Sequence, residues 1–375
     1  MKKPMPALAV LPCLCLLFAI WTPAQQPGIE AVASTTPTFV TFDAPGAGTG
    51  SGQGTFGASI NTAGAIAGWY SDASGVLHGF TRSPGGIVTA FDAPAAGTHG
   101  GQGTYVVSIN TAGATAGYYV DVNSAYHGFV RTASGAITSF DAPGASTTGL
   151  GTLADCINTA GMIAGWYADT SVVFHGFVRA ANGVITSFDA PGASTLAGEG
   201  TEAESINSAG VLAGDYTDTS NVSHGFVRAA DGAITTFDAS DAGGQGTLAN
   251  SINAAGSIAG SYDDASNVTH GFVRDVSGAI TTFDAPGAGT GAGQGTQASN
   301  INAAGLIVGL TYSTKIVRRG FVRGARAGDI TAFRAPAAGT SAGQGTYPSG
   351  INEAGAIAGY YSDSSGVNHG FLLTP

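Results

Sequence analysis

Apolar residues fall in short runs, each closed by a cluster of Asn, Asp, Ser and Gly. The first such set predicts strands at Thr55–Asn61, Ala65–Tyr70, His78–Arg82 and Ile87–Asp92, because short runs bounded by turn residues read as strands. Asn61–Gly64, Asp72–Gly75 and Ser83–Gly86 join them as short hairpin connections. A longer link, Ala93–Gly103, rich in Gly, Ala and Thr, leads to the next set. Ile87 and Phe91 project to one side of their strand, as Ile234 and Thr236 do of theirs, while Phe237 takes the other. Apolar side chains on both faces require cover on both faces, which an open sheet in water does not provide.

The set recurs. Ile-Asn pairs place Asn61, Asn110, Asn158, Asn207, Asn253, Asn302 and Asn352 at spacings of 49, 48, 49, 46, 49 and 50 residues. Phe-Asp pairs begin at Phe42, Phe91, Phe140, Phe188, Phe237 and Phe283, with Phe333-Arg334 as the seventh. Such periodicity is the mark of a repeat architecture. It predicts an all-β chain, a seven-bladed β-propeller of four-stranded antiparallel blades. Small residues in the first strand, such as Ala58-Ser59 and Ala298-Ser299, suit the crowded innermost position. A stacked solenoid is the runner-up, and it wants capping repeats that the pattern lacks. The lone Phe39–Asp43 strand and the final His369–Leu373 strand are each missing a partner, so the N-terminal strand is expected to join the last blade and close the ring.

Composition agrees. Gly and Pro supply 60 and 15 of 375 residues, and charged residues only 10%, so neither long helices nor disorder is favoured. The net charge of −11 excludes electrostatic binding to nucleic acid. Residues 1–24 read as a signal peptide: Lys2 and Lys3, an apolar stretch from Ala7 to Ile20, then Thr22-Pro23-Ala24. That stretch is shorter than the roughly 20 residues a membrane span needs. The expected organisation is a signal peptide (1–24), a linker (25–37) and the propeller (38–375), secreted to the extracellular space or periplasm as a monomer. Cleavage leaves one cysteine, Cys156, in a slot where other copies carry Ser59, Ser108, Ser205 and Ser251. It is expected to be a small structural residue, and no disulfide is available to stabilise the exported chain.

Ile60-Asn61, Gly64, Ile66-Ala67-Gly68 and His78-Gly79-Phe80, with their counterparts in every copy, resemble the HAF repeat of probable extracellular bacterial proteins. The chain departs from it in carrying glycine where the family's triplet has alanine. The resemblance implies an extracellular repeat protein and brings no catalytic residues.

Six Asp–His pairs share a spacing of six: Asp72/His78, Asp121/His127, Asp169/His175, Asp218/His224, Asp264/His270 and Asp363/His369. The sixth copy has Ser313 and Arg319 instead, so both members are lost together. A metal ligand set or an acid–base dyad is the functional reading. A hydrogen bond fixing the turn is the structural one, and sixfold repetition favours it. No cofactor or metal is expected. The Asp–His turns and the Gly-rich links (such as Gly52-Gln53-Gly54-Thr55) should emerge at one end of the meander, ringed by aromatics including Trp69, Tyr70, Tyr118, Tyr119, Trp166 and Tyr167. That end is expected to bind a glycan or protein ligand without catalysis. The alternative is a polysaccharide hydrolase or lyase with its site in the central channel. Inward carboxylates from unlike blades would favour it, and the sequence pattern shows none. The basic sixth copy, with Lys315, Arg318, Arg319, Arg323 and Arg326, is the strong outlier.

Overall fold

The computed structural model describes residues 37–313, 317–325 and 329–375. The expected signal peptide, all but the last residue of the expected linker, and Lys315 and Arg326 of the basic copy lie outside them. All regular structure in the described residues is strand. After β1 (Thr38–Phe42), the first unit comprises β2 (Gly54–Ile60), β3 (Ile66–Ser71), β4 (Leu77–Arg82) and β5 (Val88–Phe91). They pair antiparallel in order, within a residue or so of the sequence expectation. Ile87, expected on the strand beside Phe91, instead lies in the preceding turn and is 72% exposed. Among the described residues no helix is long and apolar enough to cross a membrane.

The same four-strand order follows for each later copy. The last set consists of Gly345–Ile351, Ile357–Ser362, Asn368–Thr374 and β1, whose Phe42 lies opposite Gly370. Every innermost strand carries a register shift shortly before its Ile-Asn, as between Gly57 and Ser59. A bulge of this kind turns the strand and re-aims its side chains.

Phenylalanine makes the seams. Phe80, Phe129, Phe177, Phe226, Phe272, Phe321 and Phe371 have no exposed surface. Each meets, edge-on, the Phe that precedes the link into its own unit; Phe42–Phe80 is 5.9 Å and Phe333–Phe371 6.5 Å between centroids. Burying each ring stabilises by about 1.5–3 kcal/mol. The same outer ring explains the glycine of His-Gly-Phe: a Cβ on Gly370 would stand 2.6 Å from the Phe42 ring. Alanine therefore does not fit here without moving the ring. An arginine from the third strand of the following unit also stacks on this ring, Arg82 over Phe42 at 4.9 Å and Arg131 over Phe91 at 4.4 Å.

Each link is anchored by the buried threonine at its end. Thr55 Oγ1 accepts from the Ala44 N–H at 2.9 Å, and Thr104, Thr152, Thr201, Thr247, Thr296 and Thr346 do the same for their links. At the opposite end of the inner strands sit the seven asparagines. Asn61 Oδ1 accepts from the Ala65 N–H within its own turn, while Asn61 Nδ2 donates to the carbonyl of Asn110. Asn110 donates to Asn158, and the series continues through Asn207, Asn253 and Asn302 to Asn352. Asn352 Nδ2 then donates to the Asn61 carbonyl at 3.2 Å.

Two substitutions test these contacts. Asn158→Asp keeps the acceptor for its turn but loses the donor to the Asn207 carbonyl. An unmade buried hydrogen bond costs about 1–3 kcal/mol, readable as a lower urea midpoint. The second hairpin turn needs one residue at positive φ, supplied by Gly75 but by Val172 (φ 64°) in the third unit. A β-branched residue there is strained, and Asn221 and Asn267 occupy the slot elsewhere. Val172→Asn is expected to stabilise by about 0.5–1 kcal/mol in the same assay.

Candidate functional site

The six histidines are held alike. His78 begins its strand beside the second hairpin turn, with the Tyr70 ring stacked on it at 4.9 Å. Its close partner is not Asp72 but Asp92, whose carboxylate lies 3.0 Å from Nδ1. Asp72 spends Oδ1 on its own turn, accepting from the Ser74 and Val76 N–H groups at 2.8 and 2.9 Å. Its Oδ2 stands 3.6 Å from His78 Nε2, ion-pair distance only.

The same correction applies to every expected pair, because each is the looser half of an Asp–His–Asp set. His127 lies 2.9 Å from Asp141 and 3.7 Å from Asp121. His175 is 2.7 Å from Asp189 but 3.8 Å from Asp169. For His224 the tight partner is Asp238 at 2.9 Å, with Asp218 at 3.5 Å. His270 takes Asp284 at 3.0 Å, with Asp264 at 3.5 Å. His369 takes Asp43 of β1 at 2.9 Å, with Asp363 at 3.6 Å. The reason is common to all six: the turn aspartate is committed to its own backbone N–H groups, as Asp121, Asp169, Asp218, Asp264 and Asp363 also are. Sequence reasoning missed the tight partners, although the Phe-Asp period contains all of them. The sixth copy carried the signal: beside Ser313 and Arg319 it has Arg334 for this aspartate and Thr311 for the tyrosine.

Both imidazole nitrogens of His78, His127, His175, His224, His270 and His369 face carboxylates. Among the described residues no three His, Cys, Asp or Glu side chains are arranged to hold a metal ion. In Asp169, Asp218 and Asp264 the backbone N–H of Val173, Val222 or Val268 is the largest influence holding the carboxyl below its usual range. The Gly-rich links lie against the same turns. Gln53 Nε2 donates to the Ala73 carbonyl, Gln102 to Val122 and Gln344 to Ser364.

A cavity of about 360 Å³ is lined by residues from the first strand of each unit, among them Ala58, Val107, Asp155, Glu204, Asn250, Asn300 and Ser349. The small-residue expectation fails in the third and fourth units, where Asp155 and Glu204 occupy this wall. Glu202 lies opposite Asp215 nearby. The bulge falls at Asp155 and Glu204 and turns them toward the cavity, which Glu353 of the seventh unit also lines, so carboxylate residues from three units border it, contrary to expectation. Asp155-Cys156 and Glu202–Glu204 stand where other copies carry uncharged residues, which was the available signal. Burial, then the charges of Glu204 and Glu202, pushes the Asp155 and Asp215 carboxyls well up. Burial chiefly, and Glu202, lifts Glu204 to about 7. Asp155 Oδ2 has neither solvent nor a hydrogen-bond partner. Burial, then Asp155, raises the Cys156 thiol, which keeps it an unreactive thiol donating to the Ala164 carbonyl.

Toward the link end of the inner strands, aromatics fill the space between them. Phe56 stacks on Trp69 at 3.8 Å, Trp69 meets Tyr105 at 5.1 Å, and Tyr347 stacks on Tyr360 at 4.5 Å. Trp69, Tyr118, Trp166 and Tyr360 are thus packing residues. In the fifth unit their slot holds Ser261, opposite Leu248. A cleft of about 210 Å³ opens there, lined by Gln245, Leu248, Ser261, Asp263, Gln297 and Tyr312 among others. Tyr312 Oη donates to Gln297 at 2.7 Å across it.

The two carboxylate populations predict a peaked pH profile. Asp169, Asp218 and Asp264 titrate lower folded than unfolded, so their stabilisation is complete above about pH 4–5 and lost as pH falls below their ordinary value. Glu204 titrates higher folded, at about 7 against 4.5, so stability is lost as pH rises between those values. The thermal midpoint is expected to peak near about pH 5. Glu204→Gln should lessen the fall on the neutral side, and an unchanged slope would contradict this account.

No family model and no curated protein matches the chain, so the HAF-repeat resemblance stands on the residues named above. Solved structures similar to it include AofleA from Arthrobotrys oligospora, at 13% identity over 80% of this chain and 90% of that one, with a TM-score of 0.44. TolB from Acinetobacter baumannii is similar at 11% identity over 80% and 76%, with a TM-score of 0.44. A fungal Aleuria aurantia lectin, described as a six-bladed β-propeller with a novel fucose recognition mode, is similar at 13% identity over 79% and 94%, with a TM-score of 0.41.

Proposed function

We propose that this chain is an exported, monomeric, seven-bladed β-propeller of the HAF-repeat kind that binds a glycan without transforming it. Seven repeats of four strands, the pairing of β1 with the last strand and the Asn352–Asn61 hydrogen bond support the closed ring. Binding takes place at the end where Gly-rich links and second hairpin turns meet. The observation that carries this is the cleft at Ser261. Its wall offers an aromatic ring, a leucine and hydroxyl, amide and carboxylate groups, the mixture that recognises a sugar ring's apolar face and hydroxyls. Its volume suits one sugar ring rather than a drug-sized ligand, whose sites run to about 300–1,000 Å³.

A second reading, a polysaccharide hydrolase or lyase, is favoured by Asp155 and Glu204 in the central cavity. A carboxyl titrating near 7 beside other carboxylates is the usual equipment of a general acid.

The chain from residue 25 onward is expected to bind one class on a glycan array, equally with and without a chelator. Ser261→Trp should restore the aromatic filling and weaken binding by roughly tenfold or more, about 1.4 kcal/mol. Binding unchanged by Ser261→Trp would remove the cleft from the reading. Release of reducing ends from the bound glycan, abolished by Glu204→Gln, would replace it with the channel enzyme.

A further inference from the structure

The sixth unit reverses the charge of a position that the other six hold constant. Elsewhere each unit sets a histidine against two aspartates. Here the two aspartate slots hold Ser313 and Arg334, the histidine slot Arg319 and the tyrosine slot Thr311. Gly320 lies opposite Phe333, as Gly79 lies opposite Phe91, so Arg319 and Arg334 occupy the neighbouring positions that bring His78 and Asp92 within 3.0 Å. Both arginines are exposed. Arg319 lies over Gly287, its Nη1 3.8 Å from where a Cβ would stand, and Arg334 Nη2 donates to the Ala338 carbonyl. Among the described residues neither has a carboxylate partner, whereas Arg318 is committed to the Tyr312 and Tyr347 rings at 5.1 and 5.3 Å. Two arginines at facing positions of paired strands, with no counter-charge, keep N–H donors free, and an oxyanion reached by both would satisfy them through charge-assisted hydrogen bonds.

We infer that Arg319 and Arg334 form a binding site for one oxyanion, the carboxylate or sulfate of a singly charged saccharide. Identifying the carrier as a saccharide rests on the glycan reading; the anion site itself does not. Gly287, beneath Arg319, and Gly293, in the wall of the Ser261 cleft, belong to one link, so the charged site and the neutral cleft border the same loop. The aspartates of the remaining units repel a polyanion or an acidic protein surface, which leaves an isolated charge on an otherwise neutral sugar as the ligand that fits.

The test uses Arg319→His/Arg334→Asp, which restores the pair that six other units fold around. Glucuronate, glucose 6-sulfate and glucose are titrated into both proteins, and thermal midpoints are compared in sulfate and chloride at equal ionic strength. The expected result is that the two charged sugars bind the unaltered protein roughly tenfold or more tightly than the variant, more weakly as salt rises, with glucose unaffected. The tighter of the two names the carrier group. Equal binding of charged sugars by both proteins, or no preference for them over glucose, overturns the inference. If no sugar binds, the glycan reading fails. Sulfate then decides the site alone: extra stabilisation confined to the unaltered protein upholds it, and equal stabilisation of both overturns it.

Discussion

The seven asparagines of the Ile-Asn pairs are the constraint on which the rest of the molecule depends. Each side chain does two things at once. Its oxygen closes the first hairpin turn of its own unit, and its nitrogen reaches the backbone carbonyl of the next asparagine. No other side chain of this size offers an acceptor and a donor on one planar group. Turn geometry and the spacing between units are therefore set by the same atoms, and Asn352 returns the series to Asn61. The outer parts then follow. With inner strands fixed at one spacing, a phenylalanine from one unit's last strand reaches the core phenylalanine of the next. The glycine before that core residue is the clearance the ring requires.

Much of this was legible in the sequence because it repeats. Strand positions, turns and the shared end of links and turns follow from local chemistry that seven copies state in unison. The misreadings have physical reasons. Spacing assigns His78 to Asp72, six residues away, because a hairpin turn brings such residues together. Asp72 instead satisfies backbone N–H groups of its own turn, and the tight partner arrives from the neighbouring strand fourteen residues on. His127, His175, His224 and His270 repeat the same exchange of partners. Sequence distance favours the local partner, while sheet register delivers the other. Asp155 and Glu204 were hidden differently. A bulge in each inner strand breaks simple alternation, so counting residues along the strand misplaces the side chains that face the cavity.

Repetition also locates chemistry by its exceptions. In six units an Asp–His–Asp set holds its charges against one another. Three departures from the pattern stand out among the described residues: Ser261 where four units have an aromatic ring, Asp155 and Glu204 in the inner cavity, and arginines in the sixth unit. Ser261 lacks the ring that four units carry in its slot, and the sixth unit lacks the opposite charge that the other six supply. An architecture this uniform tolerates such changes because each touches only adjacent units.

One consequence belongs to the life of the chain before it is folded. Strand β1 precedes every other described strand, and its partner, Asn368–Thr374, follows them all. Throughout the interval between their synthesis β1 has an unpaired edge, and an unpaired edge is a template for any matching strand. A second nascent copy presents an identical final strand. Crowding of unfinished chains thus invites strand exchange, in which one molecule's first strand completes another's last unit and His369 finds its Asp43 in the wrong chain.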